Sequence, residues 1–105
     1  MAELKDRLRT DLTTAIKARD TVTVATLRMA LSAVATEEVA GAAARELSDD
    51  EVLKVLAREA KKRREAADAF AGADRAELAA QEQAEAEVLA RYLPAQLGDE
   101  QVAQL

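Results

Sequence analysis

Leu47-Ser48-Asp49-Asp50-Glu51-Val52 opens the stretch that decides the fold, and Ala57-Arg58-Glu59-Ala60-Lys61-Lys62-Arg63-Arg64-Glu65-Ala66 continues it. Ser48 followed three residues later by Glu51 is a capping box. The hydroxyl takes an orphan backbone N–H, and the carboxylate reaches back to the cap. Leu47 and Val52 flank the cap as a hydrophobic staple. From Ser48 the pattern predicts a helix over residues 48–71, about 36 Å long at 1.5 Å per residue. Gly72 suits its C-terminal turn.

On a helical wheel the cations of this stretch separate. Lys54, Arg58, Lys61 and Lys62 fall on one stripe, and Arg64 lies to its side. Arg63 lands with Val52, Leu56, Ala60, Ala67 and Phe70, on the apolar side. The stripe has the spacing to track a phosphate backbone. Its alternative is a solvated face whose Lys and Arg stems cover the edge of the core. No aromatic is interleaved, so base stacking is not expected there. Glu59 and Arg63 stand four apart with the acid first, the favourable order. Arg28 and Glu38 take similar border positions on the preceding helix. Charges so placed are expected to pair, because burying one alone is expensive.

Outward from this spine the chain stays helical. Leu4, Leu8, Leu12, Ala15 and Ile16 recur at helical spacing over residues 2–18. Asp20 and Thr21 are the next capping candidates. A second helix runs to about residue 40, with Val24, Leu27, Leu31, Val34 and Glu38 on one face. Ala25, Met29 and Ala33 lie well round the other side. A helix apolar on more than one side is expected at the centre of its bundle. Gly41 ends it, and residues 42–47 connect. A fourth helix, capped by Asp74, runs to Tyr92 or Leu93 just before Pro94. Leu78, Gln81, Glu85, Val88, Leu89 and Tyr92 make a weak stripe, which predicts the most exposed helix of the set. A fifth helix starts near Gly98-Asp99-Glu100-Gln101. The expected fold is all-α, a four-helix domain around the long helix.

Composition narrows the chemistry. Half of the 105 residues are hydrophobic, but 26 of them are Ala. Thin helices can pack closely, yet they leave little material for a deep catalytic cavity. Cys and His are both absent. Disulfides, thiol chemistry, imidazole acid–base catalysis and Cys/His zinc sites are thereby excluded. A carboxylate site for magnesium stays open. Asp49, Asp50 and Glu51 resemble a metal cluster, but capping and the helix dipole account for them. Ser32 and Ser48 have no imidazole base, and there is no glycine-rich phosphate loop. The expectation is no catalytic residue, no metal and no cofactor. The apolar runs are too short for a signal peptide or a membrane span, which points to the cytoplasm.

Charge is uneven along the chain. Residues 1–47 are neutral, residues 48–64 carry +2, and residues 65–105 carry −7, for a net −5. Such a chain binds nucleic acid only locally, because its overall field repels phosphate.

Together these segments resemble the YqeY-like family, related to the tail of the GatB subunit of the tRNA-dependent amidotransferase. The carrying residues are Thr26-Leu27-Arg28-Met29 with Glu37-Glu38, the capped segment 47–53, segment 59–70, and segment 87–97 with its Tyr92-Leu93-Pro94-Ala95-Gln96-Leu97. They occur in order along essentially the whole chain. The resemblance implies an N-terminal helical domain over residues 1–94 and a small GatB-tail-like domain from residue 95. Such chains extend some tens of residues further, so residues 95–105 read as its truncated start. It also implies a family label, a carbon–nitrogen ligase with glutamine as nitrogen donor. That label is inherited from GatB, and no residue here supports it.

The leading expectation is a non-catalytic, tRNA-linked accessory module. Lys54, Arg58, Lys61, Lys62 and Arg64 would contact phosphates of tRNA or of an aminoacyl-tRNA–amidotransferase complex. Arg28, Glu38, Glu59 and Arg63 would form structural ion pairs. The alternative is a helical interaction or scaffold module packing on a protein partner or on a second copy of the chain.

Overall fold

The structure is a computed structural model that describes residues 3–94. Four helices follow in order: α1 (Glu3–Ala18), α2 (Thr21–Glu38), α3 (Asp49–Gly72) and α4 (Ala76–Ala90). The fold is all-α, and no strand occurs among the described residues. The expected fifth helix and the segment 95–105 lie outside the described residues.

The apolar stripes meet in one core. Leu8 of α1, Leu27, Ala30 and Val34 of α2, Val52, Val55, Leu56 and Ala60 of α3, and Val88 and Leu89 of α4 are all buried in it. Leu47 and Tyr92 close it at the ends. As its apolar sides predicted, α2 packs against all three other helices. Ile16 departs from the expected stripe and stays 47% exposed.

The expected exposure of α4 is corrected. Most of α1 faces solvent, whereas α4 packs along α3 and buries Ala86, Val88 and Leu89. Ala side chains are small, so the two helices close together although the stripe contains few large residues.

The caps explain where the helices start. Asp20 caps α2 and accepts from the Thr23 N–H at 3.2 Å and the Thr23 hydroxyl at 2.7 Å. Ser48 and Glu51 form the complete capping box of α3. The α3 N-terminus also serves α1, since the Leu4 N–H donates to Asp49 Oδ1 at 3.1 Å. One orphan donor of α1 is thus satisfied across 45 residues of sequence.

The turn between α3 and α4 is a second correction. Asp74 does not cap α4; Arg75 holds that position, without a side-chain hydrogen bond. Asp74 takes the left-handed conformation, φ 62°, whereas Gly72, expected in the C-terminal turn, is the last residue of α3. Short polar side chains tolerate that region better than most. Arg19, between α1 and α2, is left-handed as well, φ 58°. Among the described residues, no helix is long and apolar enough to cross a membrane.

Candidate nucleic-acid interface on α3

The capping box fixes where α3 begins, and the apolar face fixes its rotation. Val52, Val55, Leu56, Ala60 and Ala67 point into the core. Lys54, Arg58, Lys61, Lys62 and Arg64 are consequently all exposed. Lys54 and Lys61 lie two turns apart, about 10 Å along the axis.

Two of the five cations are engaged. Arg58 Nη2 donates to Glu37 Oε1 at 2.7 Å, tying α3 to the end of α2. Lys62 lies 3.5 Å from Glu59 Oε2. Among the described residues, Lys54, Lys61 and Arg64 make no ion pair. Carboxylates bracket the stripe on the same face: Asp50 and Glu51 before it, Glu65 and Asp68 after it. The surface is therefore a short basic segment between acidic ends, not a uniform patch.

Arg63 turns inward and is 8% exposed. Its Nη1 donates to the Glu59 carboxylate at 2.9 Å and to the Glu59 carbonyl at 2.8 Å. Its Nε lies 3.3 Å from Glu85 Oε1 on α4, a charge contact outside hydrogen-bond geometry. Its other terminal nitrogen sits against the Met29 sulfur of α2. One guanidinium thereby touches α2, α3 and α4. Sequence spacing identified Glu59 but not Glu85, because the partner on α4 depends on how the helices cross.

Glu38 is a second junction. Lys5 Nζ donates to its carboxylate at 2.7 Å and 2.9 Å, and the Leu47 N–H donates to it at 3.1 Å. The Lys5 hydrogen bond, followed by that from Leu47, holds the carboxyl below its ordinary pKa. The border position of Glu38 was readable, but its partner comes from α1. Arg28 behaves differently from the expectation. It stands about 100° round the wheel from Leu27, lies exposed, and makes no ion pair among the described residues.

Segment 39–48 carries a cation that the sequence reading passed over. Arg45 grips Glu51 with both terminal nitrogens, through Oε1 at 2.9 Å and through Oε2. This pair pulls the Glu51 carboxyl down to about 2, with the Ser48 N–H adding to the effect. Arg45, Glu37, Leu47, Glu51, Lys54 and Arg58 surround an open groove of about 280 Å³. A pattern search along one helix misses this groove because its walls come from α2, the connector and α3.

A further cluster lies at the end of α4. The Tyr92 hydroxyl donates to Asp11 Oδ2, and the Arg7 guanidinium stands over the Tyr92 ring, 4.6 Å from its centre. Burial, then the Asp11 carboxylate, pushes the phenol above its ordinary pKa of 10. Among the described residues, no group of three or more Asp or Glu side chains is placed to hold a metal ion. The arrangement offers hydrogen-bond donors and positive charge to an anion, at an exposed and shallow surface.

Comparison with known proteins returns one family. The model of a family described as Yqey-like protein matches residues 5–105. No curated protein matches the chain.

Proposed function

The chain belongs to the YqeY-like family, and from that premise we propose that it is a non-catalytic accessory module that meets tRNA through α3. The observation behind this reading is the set Lys54, Lys61 and Arg64, exposed and without a carboxylate partner among the described residues. Phosphate contacts of this kind supply affinity without sequence reading. The relation of the family to the GatB tail favours tRNA over other polyanions. We assign no step of carbon–nitrogen ligase chemistry to these residues.

Titration with tRNA across a salt series tests the reading. Binding at low salt should weaken steeply as salt rises. Replacing Lys61 and Lys62 with Ala should reduce the log–log slope by about 1.5, at roughly 0.7–0.9 per lost phosphate contact. Absence of tRNA binding at about 50 mM salt would overturn it. The acidic brackets around the stripe favour the second reading in that event, a protein partner with the reversed charge pattern.

A further inference from the structure

The groove between the end of α2, segment 39–48 and the first turns of α3 contains more than the stripe accounts for. Lys54 and Arg58 stand one helical turn apart on its α3 wall. Arg45 stands across from them but is locked to Glu51, which is itself committed to the capping box. Arg58 is held differently. Its partner Glu37 offers one oxygen, and both side chains are well exposed, 57% and 37%. Exposed pairs of this type are worth little, because water screens them and two long side chains must be ordered.

We propose that this groove seats one RNA phosphate on Lys54 and Arg58, with Glu37 as the carboxylate that the phosphate displaces. The inference rests on the tRNA reading above and adds a residue that opposes binding. In the free protein Glu37 occupies the Arg58 donor that a phosphate oxygen would take. A guanidinium prefers a bidentate oxyanion to a single exposed carboxylate contact. Exchange therefore needs only a side-chain rotation of Glu37, with no movement of the helices. Glu51 is held against such exchange, because moving its carboxylate would break both Arg45 contacts and the Ser48 N–H half of the capping box. Arg45 then acts as a fixed wall and leaves Lys54 and Arg58 to the ligand.

The test is fluorescence anisotropy of a labelled tRNA transcript with the full chain, its Glu37→Gln, Arg58→Gln and Glu65→Gln variants, across a salt series. Glu65 is the control, an exposed carboxylate four residues after Lys61 with no ion pair among the described residues. Glu37→Gln should bind about two- to fivefold tighter, the range set by an exposed ion pair. Its salt slope should stay close to that of the wild type, because the same phosphate contact forms in both, whereas Arg58→Gln should flatten the slope by roughly 0.7–0.9, one lost contact. Arg58→Gln should weaken binding, and in the Arg58→Gln background Glu37→Gln should give no gain beyond that of Glu65→Gln. Equal effects of Glu37→Gln and Glu65→Gln with intact Arg58 would overturn the seat, since only net charge would then matter. Wild-type binding that Arg58→Gln leaves unchanged would also overturn it while sparing the tRNA reading. If wild type fails to bind at low salt, both readings fall. Thermal melts of the wild type and of every variant, the double one included, establish that each is folded, as expected for exposed positions.

Discussion

Arg63 is the residue on which three helices depend. Removing it takes the shared cation from Glu59 and Glu85, whose side chains are only 13% and 16% exposed. Arg63→Ala should cost roughly 3 kcal/mol in urea unfolding, the low end for stripping one member from a buried cluster. Replacing Arg63, Glu59 and Glu85 together with apolar residues of similar volume should recover most of that loss, because no charge is then buried. tRNA affinity of the folded Arg63→Ala protein should be unchanged, since Arg63 does not face the stripe. Tyr92 allows a second measurement. It is the chain's one tyrosine, so absorbance titration reports it alone. The phenol should resist ionisation past its ordinary value of 10. A raised folded pKa means that its contribution to stability is present below about pH 10 and is lost as pH rises further. Ionisation at the ordinary value in the folded protein would contradict the contact with Asp11.

At the scale of the elements, helix starts were the most readable feature. The Ser48–Glu51 box and the Asp20 cap follow from side chains within three residues of each other, and local chemistry settled both. The rotation of α3 was equally legible, because Arg63 shares its face with Val52, Leu56 and Ala67. What stayed hidden crosses between elements: Asp49 on Leu4, Lys5 on Glu38, Glu37 on Arg58 and Asp11 on Tyr92. None follows from periodicity, since each needs the angle at which two helices meet. Ser48→Ala should cost about 1 kcal/mol, read from denaturant midpoints. Acid should act on the same helix start. Glu51 titrates near 2 when folded and near 4.5 when free. The stabilisation is therefore complete above about 4.5 and is lost as pH falls towards about 2. Glu51→Gln should give a flatter stability profile across that interval, and an unchanged profile would show that the Arg45 grip does not persist in solution.

For the whole molecule, the all-α class and the helix order were legible because Ala, Leu, Glu and Arg leave little else to form. The depth of α4 was not. Half of the hydrophobic residues are Ala, and a wheel cannot distinguish an Ala that seals a close crossing from one that faces water. The candidate interface was legible as a stripe on α3. Its groove was not, because that depends on where segment 39–48 returns.

The two interhelical turns carry a consequence for engineering. Arg19 and Asp74 both hold left-handed backbone, where an L side chain crowds its own carbonyl. Arg19→Gly should raise stability by up to about 1 kcal/mol, measured as a higher denaturant midpoint, with the greater freedom of unfolded glycine offsetting part of the relief. Asp74→Gly should gain less, because Asp tolerates that conformation. The fold thus keeps untapped stability at its corners, away from both core and stripe. A laboratory variant can draw on it to tolerate substitutions elsewhere, such as those that dissect the α3 surface, without unfolding.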